Sequence, residues 1–418
     1  MHGIKSNRRS TSSIVARTLY SGLACLLLVG GGLLSLATHA KPMTATVSKI
    51  VRTDPDSMLI AVYKDMASNH LHEAQAKADA LVEAFPNFRL GHLIRGDLLM
   101  MHANTVTSFG ALPNAPEERL RNLREEAIVR IRSIRERPNP DLIPRAVLQL
   151  RSDQKKVVVV DTERSRLYVY ENVNDQLKFV SDFYISQGKF GVNKLKEGDQ
   201  KTPLGVYYVT GRLAGARLPD FYGVGALTIN YPNEWDRLNG RSGSGIWLHG
   251  TSSDSYSRAP LSSDGCVVLT NPDLRKLYAA VEIGKTPVVI SEKVEFVSKA
   301  AWNAERGLAN RLVDGWRRDI ESKDYPRLMS NYSRRFKSDN GEDLSTWFAK
   351  NQLAVEIMPK SILTLKNMTF FVYPGEQDVI VATFTQDAGS GRNKQSIRKR
   401  QYWAKEGSQW RIVSESVI

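Results

Sequence analysis

The stretch Gly245-Ile246-Trp247-Leu248-His249-Gly250-Thr251 lies ten residues before Ser262-Ser263-Asp264-Gly265-Cys266-Val267-Val268-Leu269. Each stretch is a short apolar run marked by glycine, which is typical of a strand edge. His249 is the only histidine after residue 102, and Cys266 is the only cysteine after residue 25. A thiol becomes an effective nucleophile when a base raises its thiolate fraction, and histidine is the usual base. Taken singly, a lone cysteine or histidine more often has a buried structural role. Together they suggest a nucleophile and its base.

Further β-like runs surround this pair. Val157–Asp161 and Arg166–Tyr170 flank a short polar turn and predict a hairpin. Asn271–Val281 is the one good helix, with Asn271 as N-cap and Pro272 at its first position. The other strand candidates are Phe179–Ser186, Gly205–Thr210, Ala226–Asn230 and Thr286–Ser291. We therefore expect a mostly β domain over residues 156–292.

Two other regions have different patterns. Residues 53–136 are predicted to be helical. Apolar residues from Leu71 to Phe85 recur at three- and four-residue steps, which indicates one helix, and a second helix follows the break at Pro86-Asn87. This pair resembles one tetratricopeptide-like hairpin, and a charged helix follows at Glu117–Arg135. In residues 298–418, a helix-rich half to about Asn351 precedes strands at 368–373, 379–386, 398–405 and 409–414. This order predicts an α+β cone like nuclear transport factor 2, closing on Trp403 and Trp410 as core residues.

The composition and the N-terminus indicate an exported protein. The chain has 418 residues, 42% hydrophobic and 24% charged, which excludes a collagen-like, wholly disordered or multi-span membrane protein. Residues 1–18 are basic, Leu19–Ala37 is uncharged, and Thr38-His39-Ala40 resembles a cleavage site. Residues 1–40 are therefore predicted to be a signal peptide, with a retained membrane anchor as the alternative. The expected location is the periplasm or another exported site of a Gram-negative cell envelope.

The charge of the chain suggests which partners it meets. Loss of residues 1–40, which hold four basic and no acidic residues, lowers the net charge from +14 to +10. Outside the cytoplasm the available polyanions are wall polymers and membrane surfaces, so nucleic acid is not an expected partner. A basic run could hold anionic wall polymer or be a solvated strand; it contains Arg392, Lys394, Arg398, Lys399 and Arg400. No metal site is expected, since His70 and His72 do not share a helical face.

Motifs around the pair indicate a family. His249-Gly250 followed by Ser263-Asp264-Gly265-Cys266 resembles the signature of the YkuD-type L,D-transpeptidases of bacterial cell walls. Lys201–Gly205 resembles that family's Thr-Pro-x-Gly turn, and Gly188–Gly191 also fits. The resemblance covers about residues 150–292. It implies that no cofactor is needed and that Cys266 attacks the L-centre carbonyl of meso-diaminopimelate in a tetrapeptide stem. His249 would then act as general base and acid, and the carbonyl of Gly250 would orient the imidazole.

Other site residues follow from the local pattern. The N–H of Gly265 or Cys266 is a candidate oxyanion hole. Many members of the family have arginine two residues after the cysteine, where this chain has Val268. Arg237, Arg241 and Arg258 are therefore alternative ligands for a diaminopimelate carboxylate. Tyr222 and Ser263 are expected to shape the substrate groove.

Three functions remain open at this stage. An amine acceptor would make the protein a peptidoglycan L,D-transpeptidase, and water would make it an L,D-carboxypeptidase that trims tetrapeptide to tripeptide. The helical, YkuD-like and nuclear-transport-factor-2-like order resembles the L,D-carboxypeptidases that set helical cell shape. A non-catalytic wall-binding scaffold with an inert thiol is the third possibility.

Overall fold

The computed structural model describes residues 54–102, 109–110, 116–356, 363–376, 378–388 and 395–418. The predicted signal segment, together with Arg392 and Lys394 of the basic run, lies outside these residues. Within the described ranges, no helix combines the length and the apolar character needed to cross a membrane.

The N-terminal region is helical, as the sequence predicts. Its four helices are α1 (Pro55–Ala67), α2 (Leu71–Ala84), α3 (Arg89–Met101) and α4 (Glu117–Arg135). The carboxylate of Asp54 caps α1 by accepting the Ser57 N–H at 2.9 Å. The apolar faces of the helices meet in one small core that includes Leu59, Val62, Ala78, Leu81, Phe88, Ile94 and Leu98.

Two short strands lead from α4 into the β domain, β1 (Ile143–Pro144) and β2 (Val147–Gln149). Nine strands then form one sheet: β3 (Lys156–Asp161), β4 (Arg166–Val173), β5 (Gln176–Gly188), β6 (Gly205–Ala214), β7 (Gly225–Ile229), β8 (Trp247–His249), β9 (Leu261–Ser263), β10 (Val267–Leu269) and β11 (Pro287–Ser291). The spatial order is β10-β8-β7-β6-β11-β3-β4-β5-β9, and β10 also pairs with β5. This extra pairing bends the sheet around an apolar core, because β10 joins strands from opposite ends of the order.

Two helices cover this sheet, α5 (Glu234–Leu238) and α6 (Asn271–Ala280). Helix α6 begins one residue away from the predicted cap. Thr270 is the N-cap, since its hydroxyl accepts the Asp273 N–H at 3.2 Å. Asn271 is therefore the first helical residue, and its side chain is free to bond elsewhere.

The C-terminal domain is the predicted α+β cone. It contains β12 (Phe296–Val297), α7 (Lys299–Ser322), α8 (Tyr325–Ser330), β13 (Tyr332–Ser338), α9 (Leu344–Glu356), β14 (Thr364–Val372), β15 (Val379–Ala388), β16 (Gln395–Glu406) and β17 (Gln409–Val417). Strand β13 lies within the half that is predicted to be helix-rich. Trp316 and Trp403 are fully buried and Trp410 packs against the same cluster, so all three belong to the core. The cone encloses a cavity of about 350 Å³.

The β domain and the cone share secondary structure. Strand β2 forms the edge of the C-terminal sheet beside β14, and Trp302 Nε1 donates to the carbonyl of Val147 at 2.8 Å. Strand β1 pairs with β12. Both strands that precede the β domain therefore pair with strands that follow it.

Helix α5 also docks on the C-terminal sheet. The Trp235 ring stacks on Tyr402 at 4.5 Å, and Glu234 forms an ion pair with Arg400. Arg400 is buried, and Lys399 pairs with the buried Glu415 at 2.6 Å. These two residues therefore contribute little free charge to the predicted basic patch, because each is paired with a carboxylate and Arg400 is buried.

Candidate active site

Cys266 and His249 share one face of two adjacent parallel strands. The register of β8 and β10 pairs Leu248 with Val267 and His249 with Val268. Cys266 therefore lies beside Trp247, and side chains two residues apart on a strand point to the same face. Strand spacings place the Cα atoms of Cys266 and His249 on the order of 8 Å apart. The sheet thus brings together the two residues singled out from the sequence.

The His249 imidazole is held by its neighbour. It is buried, and its Nδ1 lies 2.7 Å from the Gly250 carbonyl oxygen. A carbonyl only accepts, so Nδ1 carries the proton and Nε2 keeps its lone pair. Burial lowers the pKa of His249 to about 4, and the Gly250 carbonyl opposes this shift only in part. At neutral pH the ring is therefore a neutral base.

Gly250 is itself fixed from two sides. Its N–H donates to the carbonyl of Tyr222 at 3.1 Å, and a Cβ at this position would collide with Asn271 Oδ1. Asn271 Nδ2 donates to the Thr251 carbonyl at 2.8 Å, and Oδ1 accepts the Val224 N–H at 3.0 Å. Asn271 therefore joins the two loops that aim the Gly250 carbonyl at the imidazole.

The Cys266 thiol is half-buried and lies against backbone polar groups. Trp247 N–H points at Sγ at 3.4 Å, and Sγ lies 3.4 Å from the Gly245 carbonyl oxygen. Burial raises the pKa of the thiol, while the Trp247 N–H lowers it. The charge of Asp264 also raises this pKa, and the charge of Arg258 lowers it. In the resting site the Cys266 thiol and the His249 imidazole are therefore both neutral. The Trp247 N–H is already positioned to donate to the thiolate once it forms.

The turn before the cysteine corrects two predictions. Gly265 has φ +122°, a backbone conformation that favours glycine, and its N–H donates to Ser263 Oγ at 3.2 Å. It is therefore already used and cannot serve as the predicted oxyanion donor. Ser263 is buried and donates to the Cys266 carbonyl at 2.6 Å, so it holds the turn and does not line the groove. The N–H of Cys266 has no acceptor within the described residues.

Aromatic rings enclose the imidazole. The Tyr222 ring lies 5.0 Å from that of His249 and 5.1 Å from that of Trp247. Burial, followed by the negative charge of the Cys266 thiolate, raises the pKa of Tyr222. The Phe221 ring lies 5.5 Å from the imidazole and is 44% exposed. Tyr222 therefore lies beside the His249 imidazole, and Phe221 forms the solvent-facing edge of these rings.

The three candidate arginines have separate surroundings. Arg258 lies over the Phe221 ring at 4.1 Å, donates to the Phe221 carbonyl at 2.9 Å, and has no carboxylate partner among the described residues. Arg241 forms ion pairs with Asp236 at 3.3 Å and Glu376 at 3.2 Å, so it is structural. Arg237 is exposed on α5, and no described contact joins it to the site. Of the three arginines, only Arg258 carries a charge that lowers the pKa of both the Cys266 thiol and the His249 imidazole.

Several residues of this site were not singled out by sequence reasoning. Phe221 precedes Tyr222, and Trp247 lies two residues before His249, so their closeness in the chain to predicted site residues was the available signal. Thr202 occurs in the recognised turn, yet the sequence does not show that its hydroxyl donates to the Gly265 carbonyl at 2.9 Å. Asn271 appeared only as a helix cap.

Comparisons with known proteins agree with this geometry. Residues 155–290 match the YkuD family, the L,D-transpeptidase catalytic domain, and residues 309–416 match the Cds6 C-terminal NTF2-like domain. The chain therefore contains a YkuD-type L,D-transpeptidase catalytic domain followed by an NTF2-like domain.

Individual relatives are more distant. YafK of Escherichia coli (strain K12), whose name places it among L,D-transpeptidases, is 25% identical over 168 residues. The match covers 39% of this chain and 63% of YafK, which is less than two thirds of that protein. The structure of Bd1075 from Bdellovibrio bacteriovorus is 28% identical with a TM-score of 0.58, covering 66% of this chain and 98% of that one. The helical cell shape determining protein Pgp2 from Campylobacter jejuni is 21% identical with a TM-score of 0.56, covering 65% and 95%, and shows the shared fold.

Proposed function

We propose that this protein is an exported cysteine acyltransferase that acts on peptidoglycan tetrapeptide stems as an L,D-transpeptidase. The observation that carries the proposal is the shared face of Cys266 and His249, with Nδ1 of the imidazole held by the Gly250 carbonyl at 2.7 Å. The Gram-negative periplasm is the proposed location, because wall peptides are found there.

In the proposed acylation step, His249 Nε2 removes the proton from Cys266 Sγ as the sulfur attacks the L-centre carbonyl carbon of meso-diaminopimelate. The oxyanion that forms is stabilised by the Cys266 N–H, the donor left without a described acceptor. The carbon–nitrogen bond to the terminal D-alanine then breaks, and the imidazolium returns its proton to the leaving amine. The product is a thioester on Cys266.

Deacylation uses the same base in the same way. Nε2 removes a proton from the acceptor as it attacks the thioester carbonyl, and the proton then passes to the departing Cys266 sulfur. An amine of a second stem or of a lipoprotein lysine gives transpeptidation. Because the thioester is common to both outcomes, water at this step gives L,D-carboxypeptidation.

Arg258 is the proposed anchor for a substrate carboxylate. Its guanidinium lies against Phe221 at the edge of the site and is free of acidic partners within the described residues. A bound carboxylate would supply the missing countercharge, and guanidinium groups favour such bidentate partners. This replaces the arginine that many family members carry two residues after the cysteine, where this chain has Val268.

L,D-carboxypeptidation is the second candidate function. It is favoured by the order of a helical region, a YkuD domain and an NTF2-like domain, because this order resembles the L,D-carboxypeptidases that set helical cell shape. Pgp2 is a helical cell shape determining protein, and a role in cell shape is proposed for this protein as well.

One assay tests both candidates. Purified protein lacking residues 1–40 is incubated with disaccharide-tetrapeptide, and the products are identified by mass spectrometry. Tripeptide with free D-alanine supports hydrolysis, and a 3–3 crosslinked dimer supports transfer. Cys266→Ala should give neither while keeping the fold. A scaffold role predicts no turnover and no covalent adduct at Cys266 with a carbapenem, so an adduct would exclude it.

A further inference from the structure

One loop, Thr251–Pro260, connects the strand of His249 to β9, the strand before the turn that carries Cys266, and it contains Arg258. We call it the Arg258 loop. On the side of the β domain, the hydroxyls of Tyr184 and Ser186 both donate to the Arg258 carbonyl, at 2.8 and 3.0 Å. Other residues of the β domain hold the two ends of the loop: Asn271 donates to the Thr251 carbonyl at 2.8 Å, and the Pro260 carbonyl accepts the Gln187 N–H at 2.7 Å. Asp220 accepts the Ser253 N–H at 3.1 Å. The N-terminal helices contact the middle of the loop.

The turn between α2 and α3 packs on the middle of this loop. The Tyr256 ring lies between Phe85 at 5.1 Å and Phe88 at 5.4 Å, edge-on to each. Tyr256 N–H donates to the Asn87 carbonyl at 3.1 Å, and Asn87 Nδ2 donates to the Ser253 carbonyl at 3.0 Å. Aromatic contacts of this kind add to the stabilisation from burial alone. Tyr256 is therefore the main apolar anchor of the loop.

Helix α4 holds the residue next to Arg258. Ser257 Oγ donates to Glu126 Oε1 at 2.7 Å, and the buried Glu126 also accepts from Arg130 Nε at 2.9 Å. The Arg130 guanidinium lies 3.8 Å over the Tyr184 ring. A buried carboxylate that loses a donor is strongly disfavoured, so this bond constrains Ser257 firmly.

We propose that the N-terminal helices position Arg258 against Phe221 at the edge of the site, and that Tyr256 and Ser257 are the positioning residues through which they do so. The proposal rests on the proposed function only where Arg258 meets a substrate carboxylate. The effect of the Arg258 charge on the thiol is independent of any peptide. Recognition of the anionic substrate thus depends on the N-terminal helices, which do not contact the substrate themselves.

The test compares alkylation of Cys266 by iodoacetate, an anion, and iodoacetamide, its neutral analogue, in protein lacking residues 1–40. Cys266 is then the single cysteine, so every adduct reports on it. A nearby positive charge raises the local concentration of the anion, so Arg258→Gln should lower the iodoacetate-to-iodoacetamide rate ratio by about threefold or more. Tyr256→Ala should lower it to a similar extent, and Tyr256→Phe should keep the wild-type ratio.

The controls make each outcome decisive. Arg89→Ala removes an exposed ion pair with Asp254 at the same interface and should change the ratio by less than about twofold. Ser257→Ala, a smaller change, tests the proposal should Tyr256→Ala fail to fold. In Tyr256→Ala and Ser257→Ala, hydrogen exchange should be faster for the amides of residues 251–260, while the amides of β3 and β11 stay protected.

Two results would overturn the proposal. One is an unchanged ratio in folded Tyr256→Ala and Ser257→Ala when Arg258→Gln lowers it, and the other is an unchanged ratio in Arg258→Gln itself. If the protein gives the expected alkylation pattern but does not process tetrapeptide, this inference stands and the proposed substrate is refuted. The two hypotheses therefore fail separately.

Discussion

Thr202 Oγ1 donates a hydrogen bond of 2.9 Å to the carbonyl oxygen of Gly265, the residue that precedes Cys266. The same hydroxyl accepts the Gly188 N–H at 3.0 Å, and Thr202 is fully buried. One side chain therefore ties the Thr-Pro turn and the end of β5 to the turn that presents the thiol. The position of the nucleophile depends on this hydroxyl.

Thr202→Val is expected to lower the rate of Cys266 acylation and the stability of the protein. The substitution keeps the shape but leaves the Gly188 N–H without its acceptor, which costs about 1–3 kcal/mol in unfolding free energy. Stability is measured by urea unfolding, and acylation by the rate of carbapenem adduct formation. Thr202→Ser keeps the hydroxyl and should behave like the wild type. Equal acylation rates for Thr202→Val and the wild type would contradict the role given to this bond.

The acid limb of activity should lie near pH 4. The neutral imidazole is the active form, and burial lowers the pKa of His249 to about 4. The value of kcat/KM for tetrapeptide should therefore stay nearly constant from pH 7 down to about pH 5 and fall below that. A steep loss centred near pH 6.5, the ordinary value for histidine, would show that the ring is solvated in the free enzyme.

The same pKa shift predicts how stability depends on pH. Between pH 6.5 and about 4, the unfolded chain holds a proton on His249 that the folded protein does not. The free energy of unfolding should therefore fall as the pH falls through this window, by on the order of 3 kcal/mol from this group. His249→Gln removes the titration, so its unfolding free energy should depend less on pH over the same range. Identical slopes for the two proteins would be evidence against a buried, neutral His249.

Asn271→Ala should impair catalysis more than folding. The variant removes the link between the Val224 N–H and the Thr251 carbonyl, so the Gly250 carbonyl is no longer held toward Nδ1. We expect kcat to fall by about tenfold with a small change in KM, because substrate contacts are unaffected. Steady-state kinetics measure this split. A change confined to KM would instead indicate that Asn271 acts on substrate binding.

Trp235→Ala should weaken the contact between the β domain and the cone. The ring stacks on Tyr402 at 4.5 Å and also lies 6.0 Å from Tyr373. Its loss is expected to cost about 3 kcal/mol, visible in calorimetry as a lower melting temperature. Trp235→Phe retains an aromatic ring and should lose less. An unchanged melting profile in Trp235→Ala would show that the stack does not contribute to stability.

Local features of the sequence predicted much of this structure. Helix α4 begins and ends at the predicted residues, because Pro116 precedes it and a proline-rich segment follows. The β3–β4 hairpin was visible from its apolar runs and polar turn. Cys266 and His249 were noticeable because each is rare in the chain and each is marked by an adjacent glycine.

Relationships across long sequence distances were not predictable in this way. Strand β2 has no local sign that it joins a sheet more than 200 residues later, where Val147 pairs with Phe371. The burial of Arg400 depends on Glu234, which lies 166 positions earlier. One short-range relationship was also not predictable, because the hydrogen bond from the Gly265 N–H to Ser263 depends on the exact path of the turn. In each case the environment of the residue is determined by a partner that the local sequence does not identify.

The pairing of β1 with β12 has a consequence for protein engineering. Ile143 opposes Val297, so the chain enters and leaves the catalytic domain through neighbouring antiparallel strands about 5 Å apart. The two connections of the catalytic domain therefore lie side by side at the C-terminal part of the chain. Another enzyme whose ends lie equally close could be joined at these strands only if it kept β2 and replaced the contacts of Glu234 and Trp235 with the C-terminal sheet.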